Sequence, residues 1–263
     1  MSSPSLACAT GAYAIGEAFR FLRDPNEFGC DAILAGATEA PLTPPSFAGF
    51  SRLRALSTSN SAAETASRPF DLDRNGFVLG EGAGCLLLER LESAKQRNAK
   101  IYAEIIGFGS SSDAFHPTAP DPSNCGAIKA INSALNTQIK HDLFAVNAHA
   151  TSTSLGDEIE LAALDKTISS SSIHVFSNKG AIGHLLGASG AVESIFTVLS
   201  LHHEILPANQ NLKNKITTKF NLPVTNILLP KESRDISILK TSFGFGGANV
   251  ALLFKKFNNK STV

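Results

Sequence analysis

Three side chains of this 263-residue chain have the types and spacing that a reactive thiol site requires. Cys8 stands where a strand gives way to a helix. The N–H groups and partial positive charge of a helix N-terminus stabilise a thiolate, so we expect a lowered thiol pKa. His149 follows an apolar stretch and His184 precedes a long helical one, both in Gly-, Ser- and Thr-rich segments of the kind that carry sites in α/β proteins. A cysteine with histidines distant in the chain is typical of enzymes that use a nucleophilic thiol.

A simpler interpretation of each residue stays open at this point. A lone cysteine is more often a small buried apolar side chain, and we assign Cys30, Cys85 and Cys125 to that class. A lone histidine is more often structural than catalytic. There is no Cys-x-x-Cys pair and no histidine at zinc-ligand spacing, so the sequence predicts no metal site and favours a reducing compartment.

Two glycine clusters could belong to phosphate-binding loops, but neither has the right surroundings. Only 16 residues follow Gly247 in the cluster 241–249, too few for a dinucleotide-binding βαβ unit. The cluster 80–84 leads into a strand rather than a helix. A loop that offers backbone N–H groups to a developing oxyanion is the better interpretation of the cluster 241–249.

Short apolar runs alternate with helical stretches along the chain, which indicates an α/β fold. The spacing predicts helices over residues 10–23, 91–97, 127–135, 157–164 and 188–203. It predicts strands over 31–36, 77–79, 85–88, 101–107, 143–146, 175–176, 236–242 and 250–254, with 31–36 buried and 77–79 paired to 85–88. Residues 57–73 are expected to form a surface loop, 210–229 an irregular connection and 258–263 a frayed tail.

Composition and charge argue against two classes of protein. Lys and Arg total 23 and match 23 Asp and Glu, so the chain lacks the excess of cations expected of a nucleic-acid-binding protein. No apolar run approaches the roughly 18 residues of a membrane helix, so no membrane insertion is expected, and the first residues show no secretory signal. With 43% hydrophobic residues, the chain can bury a sizeable core.

Seven motifs, taken in order, make the chain resemble one known family. They are Ala7–Gly11, Ala55–Thr58, Ser67–Asp71, Arg74–Val78, His149–Thr153, Lys179–Gly190 and Ser242–Gly247. Over residues 5–254 the sequence is similar to the C-terminal part of a β-ketoacyl-[acyl carrier protein] synthase of the chain-elongating type. The resemblance implies a thiolase-like α/β fold with αβαβα layers, with the N-terminal half incomplete because the chain begins just before the nucleophile. Residues 1–98 would be the remainder of that half, 99–257 the C-terminal half and 258–263 a tail.

The same resemblance implies a decarboxylative condensation and the residues that perform it. Cys8 would accept an acyl chain from an acyl carrier protein as a thioester, and malonyl-carrier protein would then lose carbon dioxide and attack that thioester. His149 and His184 would bind the malonyl thioester oxygen, and Lys179, paired with Glu193, would organise the histidines. The other implied roles are the oxyanion hole (N–H of Cys8 and Phe245), the gate (Phe243 and Phe245), the acyl pocket (Phe50), the phosphopantetheine arm (Thr151 and Thr153) and the carrier-protein contact (Arg54).

The resemblance also implies cofactors, partners and location. No cofactor of the chain's own is expected, because phosphopantetheine is carried by the acyl carrier protein, and the chain is expected to form a homodimer. Ala150 and the pair Gly180 and Ala181 are similar to mitochondrial members, so a mitochondrial protein is expected, with the bacterial cytoplasm and the plastid as alternatives. Thr241 stands where Asn is more usual in the family.

Two other functions stay open. A truncated or degenerate chain could be catalytically impaired, or could be a non-catalytic partner subunit such as a chain-length factor, although such factors normally lack the nucleophile that Cys8 supplies. A thiolase acting on coenzyme A thioesters shares the fold. It should carry a second cysteine in a C-terminal Cys-x-Gly context, where Phe243–Gly247 stands here.

Overall fold

The computed structural model describes residues 1–24, 29–230, 233 and 235–258. Its helices are α1 (Thr10–Arg23), α2 (Pro44–Arg52), α3 (Leu91–Gln96), α4 (Cys125–Leu135), α5 (Ser154–Thr167), α6 (Lys179–Ile182) and α7 (Ser189–His203), with 3₁₀ turns at Ala7–Ala9, Asn60–Thr65 and Leu186–Ala188. Its strands are β1 (Ala32–Glu39), β2 (Gly82–Glu89), β3 (Ala103–Ser112), β4 (Asp142–Asn147), β5 (His174–Phe176), β6 (Ile205–Leu206), β7 (Ile227–Leu228), β8 (Ile236–Gly244) and β9 (Ala248–Lys256).

A mixed five-stranded sheet forms the centre of the molecule, in the order β3-β9-β8-β4-β5. Strand β4 runs parallel to both β5 and β8, whereas β9 is antiparallel to its neighbours β3 and β8. Most residues of β8 and β9 are buried, so the two strands show no alternation of apolar and polar residues. This pattern is expected when helices cover both faces of a sheet.

The described residues form four layers. Helices α4 and α5 cover one face of the central sheet, and α1 and α7 cover the other. The antiparallel pair β1-β2 lies on the far side of α1 and α7, which gives the order α, β, α, β. Of the five layers that the sequence predicts, the described residues form four.

Glycines let α1 and α7 cross at backbone contact. A Cβ at Gly11 would lie 2.6 Å from the N atom of Ala191, and one at Gly190 would lie 2.5 Å from the N atom of Ala12. No larger residue fits at either position without moving a helix. The N-termini of the two helices are therefore held side by side, which places the turn before α1, with Cys8, next to the start of α7.

Most of the predicted helices and strands are confirmed, with several boundaries that differ by a few residues. The predicted pairing of residues 77–79 with 85–88, however, is wrong. Strand β2 pairs along its whole length with β1, from Ala32 opposite Glu89 to Glu39 opposite Gly82. Residues 77–79 form only single bridges, one of them between Leu79 and His184. This segment therefore supports the candidate site instead of extending a hairpin. Helix α2 has no counterpart in the sequence prediction.

The prediction of a buried strand over 31–36 is also wrong. Only Ala35 of β1 is buried, and on the outer face Leu34 and Leu87 are 73% and 55% exposed. The cause is the position of the β1-β2 pair in the outermost layer, where no described residue packs over its outer face. The connection 210–229 contains β7, the loop 57–73 contains a 3₁₀ turn, and the predicted tail lies, apart from Asn258, outside the described residues.

The cysteines other than Cys8 are not the buried apolar residues that we expected. Cys30 is half-buried, while Cys85 and Cys125 are exposed because they lie on the outer face of β2 and at the start of α4. All four cysteines are free thiols. In the described part of the chain, no helix is long and apolar enough to cross a membrane, and no cluster of three or more His, Cys, Asp or Glu side chains could hold a metal ion.

Candidate active site

The fold brings Cys8, His149 and His184 together, as the sequence predicts. Cys8 lies in the 3₁₀ turn before α1, where Ala7 adopts a left-handed φ of 46°. The Sγ atom of Cys8 is 3.1 Å from Nε2 of His184, within hydrogen-bonding distance. The rings of His149 and His184 lie edge to face with their centroids 5.3 Å apart.

Neighbouring groups fix the orientation of the His184 ring. Its Nδ1 is 2.8 Å from Oγ of Ser189, the first residue of α7. The Phe77 ring packs edge-on against it at 5.2 Å, and the backbone N–H of His184 donates to the carbonyl of Val78 at 2.7 Å. The sequence analysis missed Ser189, whose position in the motif 179–190 could have suggested it.

His149 is held through its backbone by a buried carboxylate. Its N–H donates to Oε1 of Glu160 at 2.9 Å, and the N–H of Ala150 donates to Oε2 at 2.7 Å. The Thr241 hydroxyl donates to the same carboxylate at 2.6 Å. Within the described chain, Nδ1 of His149 has no hydrogen-bond partner. The sequence analysis also missed Glu160. Its position one turn after Asp157, in a helix that packs on a sheet, could have indicated a buried carboxylate.

A chain of buried ion pairs lies beside the histidines. Lys179 pairs with Oε1 of Glu193, which confirms the predicted pair, and Oε2 of the same carboxylate lies 2.9 Å from Nζ of Lys240. All three side chains are fully buried. The sequence analysis did not predict a role for Lys240. A lysine within an apolar strand could have indicated one, because a buried charge requires a partner.

Burial keeps the side chains of Cys8, His149 and His184 neutral. It lowers the pKa of both His149 and His184 well below the usual 6.5, and the positive charges of Lys179 and Lys240 lower these pKa values further. Burial also raises the pKa of Cys8 to about 11, against an opposing effect of Lys179. The resting site therefore contains a thiol that faces a neutral imidazole.

The expected lowering of the Cys8 pKa is thus wrong. A rise from 9.0 to about 11 disfavours the thiolate by about 3 kcal/mol. A helix N-terminus contributes only about 0.3–1 kcal/mol in exposed sites, so the loss of hydration outweighs it.

Cys8, His149 and His184 line a cavity of about 330 Å³. Most of the other predicted site residues line it as well: Phe50, Thr151, Thr153, Phe243 and Phe245. Lys179 and Glu193 lie behind the wall, and the exposed Arg54 is not in the lining, although its neighbours Leu53 and Ala55 are. Thr151 and Thr153 have their hydroxyls 3.1 Å apart, and Thr153 also caps α5 by accepting from the N–H of Gly156.

The loop after β8 approaches the nucleophile through a glycine. A Cβ on Gly244 would lie 2.5 Å from the carbonyl oxygen of Leu6 and 3.2 Å from the N atom of Cys8. Gly246 and Gly247 adopt left-handed φ values of 86° and 81°. This cluster is therefore a tight hairpin loop beside Cys8. The oxyanion role of the N–H groups of Cys8 and Phe245 stays a prediction.

The buried carboxylate of Asp157 connects the loop after His149 to the motif 67–78. Asp157 accepts from the N–H of Phe70 at 2.9 Å and from that of Ser152 at 3.1 Å. Arg74 lies 3.6 Å from the same carboxylate and donates to the carbonyl of Ser154 at 2.6 Å. Burial raises the pKa of Asp157 to about 7.

Comparison with known proteins agrees with this geometry. Two family models match in succession: beta-ketoacyl synthase, N-terminal domain, over residues 2–94, and beta-ketoacyl synthase, C-terminal domain, over residues 102–213. The mitochondrial 3-oxoacyl-[acyl-carrier-protein] synthase of Arabidopsis thaliana is 47% identical over 258 residues, which cover 94% of this chain and 54% of the relative. A putative mitochondrial synthase of Schizosaccharomyces pombe is 46% identical, over 95% of this chain and 60% of its own length. The chain thus spans just over half the length of these relatives.

Solved structures show the same fold. A type II polyketide synthase ketosynthase, determined in complex with its acyl carrier protein, superposes with a TM-score of 0.90 at 33% identity, over 98% of this chain and 63% of that one. A β-ketoacyl synthase from Burkholderia phymatum gives a TM-score of 0.87 at 34% identity, over 97% of this chain and 61% of that one. The fold is therefore the thiolase-like α/β fold of ketosynthases, as predicted. Together with the family matches, this similarity shows that the chain belongs to the β-ketoacyl synthase family.

Proposed function

We propose that the protein is a 3-oxoacyl-[acyl-carrier-protein] synthase of type II fatty acid synthesis, an acyltransferase that condenses malonyl-carrier protein with an acyl group held on Cys8. The observation that carries the proposal is the 3.1 Å contact between Sγ of Cys8 and Nε2 of His184, in a cavity that His149 also lines. A thiol, a proton acceptor and a second imidazole on one cavity wall are the groups that thioester exchange and enolate stabilisation need. The names of the curated relatives support the same activity.

The first step transfers the acyl group to the enzyme. As Sγ of Cys8 attacks the carbonyl carbon of the acyl-carrier thioester, its proton passes to Nε2 of His184. The carbonyl oxygen becomes negative and accepts hydrogen bonds from the N–H groups of Cys8 and Phe245. The carbon–sulfur bond to phosphopantetheine then breaks, and the leaving sulfur takes the proton. Ser189 fits this cycle, because its hydroxyl can accept from Nδ1 or donate to it and so matches either tautomer of His184.

The second step forms the new carbon–carbon bond. Malonyl-carrier protein loses carbon dioxide, and the electron pair of the broken bond forms an enolate of the carrier thioester. Neutral His149 and His184 donate N–H groups to the enolate oxygen. The enolate carbon attacks the Cys8 thioester, the carbon–sulfur bond breaks, and the Cys8 sulfur takes a proton from solvent. The products are β-ketoacyl-carrier protein, carbon dioxide and free enzyme.

The remaining assignments concern the substrate and its carrier. Phe50 lines the cavity for the acyl chain, and Phe243 and Phe245 gate it, since aromatic rings can rotate about two side-chain bonds without breaking polar contacts. Thr151 and Thr153 offer hydroxyls to the phosphopantetheine arm. The exposed Arg54 contributes a positive charge to the contact with an acidic carrier protein.

We also propose a homodimer in the mitochondrion. The support for the location is the similarity to relatives named mitochondrial, while bacterial relatives such as the synthase 2 of Rhizobium meliloti are 46% identical. Light scattering on the purified protein should give twice the mass of one chain, and a monomer would contradict the proposal. Immunodetection in organelle fractions tests the location, which a signal confined to the cytosol would refute.

The decisive experiment for the activity measures β-ketoacyl-carrier protein by mass spectrometry after incubation with acyl- and malonyl-carrier protein. Cys8→Ala should abolish both the product and the acyl adduct on the enzyme. Cys125→Ala is the matched control, because this exposed thiol does not line the cavity and its loss should change neither. If Cys8→Ala forms product as fast as the wild type, the nucleophile is wrong.

The same assay separates the enzyme from a non-catalytic partner subunit. A partner subunit would bind carrier protein yet show no acyl adduct on Cys8 and no product at any concentration. The contact of Cys8 with His184 favours the enzyme, because a subunit without chemistry does not need an imidazole at its thiol.

A further inference from the structure

Lys240 is a wholly buried lysine next to the candidate site that the proposed chemistry leaves unexplained. It lies on β8, and three oxygens surround its Nζ atom. Oε2 of Glu193 is 2.9 Å away, the carbonyl oxygen of Asn147 is 3.3 Å away, and the third is the carbonyl oxygen of Thr241. The contact with Glu193 is an ion pair by distance, although its angles fall outside those of a directed hydrogen bond.

Three oxygens around one nitrogen indicate the ammonium form. An ammonium carries three N–H groups and no lone pair, so it can face three acceptors at once. A neutral amine would turn its lone pair towards one of these oxygens and repel it. Burial lowers the pKa of Lys240, and attraction by Glu193 and Glu160 opposes that effect. Lys240 is therefore a fixed positive charge inside the protein.

Lys240 also completes a charge balance. In the cluster beside the histidines, Lys179 and Lys240 balance the carboxylates of Glu160 and Glu193. The other buried carboxylates have partners of their own: Asp157 lies against Arg74, and Asp71 accepts from backbone N–H groups. Each oxygen of Glu193 faces a different lysine, and Glu160 holds the backbone of His149. Without Lys240 the cluster would carry an excess negative charge beside the imidazoles.

We propose that Lys240 is a positioning residue of the site: its ammonium anchors Glu193, and through it Lys179, and balances the buried charge next to His149 and His184. This inference rests on the proposed function only where it concerns the reaction. The charge that Lys240 exerts on the histidines can be measured in the free protein.

The direction of the effect follows from the groups around the two rings. These groups are Cys8 in the first turn, Glu39 on β1, Asp113 and Asp121 in the cavity wall, Arg74 in the loop before β2, Asp157 and Glu160 on α5, Lys179 on α6, Glu193 on α7 and Lys240 on β8. Lys240 repels a proton on either ring, so its removal favours the imidazolium and raises both pKa values. For scale, two unit charges separated by about 10 Å at an effective dielectric constant of about 20 shift each other's pKa by about one unit.

The test compares Lys240→Met and Lys240→Gln, which remove the charge, with Lys240→Arg, which keeps it. Lys255→Met is the matched control, because Lys255 is a lysine of the same sheet whose partner is Asp235, away from the cavity. The titration of His149 and His184 is followed by NMR of labelled imidazoles in the free protein. We expect both midpoints to rise by about one pH unit in the neutral variants and to stay unchanged in Lys240→Arg and Lys255→Met.

Kinetics supply a second readout. If the protein condenses its substrates, the acidic limb of its pH–rate profile should move to higher pH by the same amount in the neutral variants, and Lys240→Arg should restore it. Absence of condensation in the wild type would overturn the proposed function and leave the NMR result to decide this inference.

Unchanged histidine midpoints in a folded neutral variant overturn the inference. If only Lys240→Arg folds, the need for the charge is supported; if no variant folds, Lys240 has a purely structural role and the inference is wrong.

Discussion

Replacing Gly11 by alanine should break the contact between the candidate nucleophile Cys8 and His184. The new Cβ would lie 2.6 Å from the N atom of Ala191, and an ordinary contact begins at about 3.4 Å, so α1 and α7 must move apart by about 0.8 Å. Cys8 lies just before α1, and the His184 ring is tied to Ser189 at the start of α7. The 3.1 Å contact between Sγ and Nε2 would lengthen to about 4 Å, beyond hydrogen-bonding distance.

General magnitudes give the expected loss of stability and the expected loss of rate. Overpacking a well-packed contact destabilises a protein by about 1–3 kcal/mol, and a misplacement of about 1 Å at a reacting centre slows a reaction by about 100-fold. We expect Gly11→Ala to remain folded, to unfold at lower urea concentration, and to form the Cys8 acyl adduct about 100-fold more slowly than the wild type. Stopped reactions analysed by mass spectrometry give the rate of adduct formation.

The control is Gly49→Ala, which adds the same methyl group to a helix in a place where no atom lies within 4 Å. It should leave the rate of adduct formation unchanged and should raise the stability by up to about 1 kcal/mol, because alanine favours a helix more than glycine does. If Gly11→Ala acylates at the wild-type rate and unfolds at the wild-type urea concentration, the helix crossing does not set the position of the nucleophile.

The thiol of Cys8, with its pKa of about 11, should be alkylated by iodoacetamide at a rate that keeps rising up to about pH 11; a plateau below pH 9 would contradict the burial argument. His149 and His184 have folded-state pKa values well below the usual 6.5 and take up protons on unfolding. Their contribution to the free energy of unfolding in urea should therefore be lost as the pH falls below about 6.5. Asp157, with its raised pKa of about 7, opposes only part of this loss, so the stability should still fall from pH 6.5 to 5, and a stability that rises over this range would refute the argument. Gly244→Ala places a Cβ 2.5 Å from the oxygen of Leu6 and should slow adduct formation about 100-fold with an unchanged circular dichroism spectrum; an unchanged rate would show that the hairpin loop need not touch the Cys8 turn.

The resting site is poised in its neutral form. The thiol of Cys8 and the imidazole of His184 share one contact, but burial raises the pKa of the first and lowers that of the second, so no thiolate–imidazolium pair forms at rest. Proton transfer must therefore accompany attack on the substrate. This arrangement protects the thiol from exposure as a reactive thiolate, and it leaves both histidines neutral for the enolate that the proposed reaction forms.

The site residues could be predicted because the motifs that contain them are local in sequence. His149–Thr153 and Lys179–Gly190 keep their chemistry-bearing side chains within a few positions of each other, and helical spacing located α1 and α7 from apolar residues alone. Of the residues that were missed, Ser189 lies near His184 in the chain, whereas Glu160 and Lys240 have partners that are distant in sequence. Glu160 on α5 accepts from the backbone N–H of His149, and Lys240 on β8 pairs with Glu193; nothing near either residue in the chain indicates these partners.

Sequence alone determined the α/β class and singled out Cys8, His149 and His184 as candidate site residues, since these depend on residue type and local periodicity. Only the tertiary structure decided the electrostatics and the pairing of β2 with β1 instead of with residues 77–79. The sign of the Cys8 pKa shift shows why. A helix N-terminus is a local feature and stabilises a thiolate, whereas burial is a property of everything packed around the sulfur, and here burial is the larger effect.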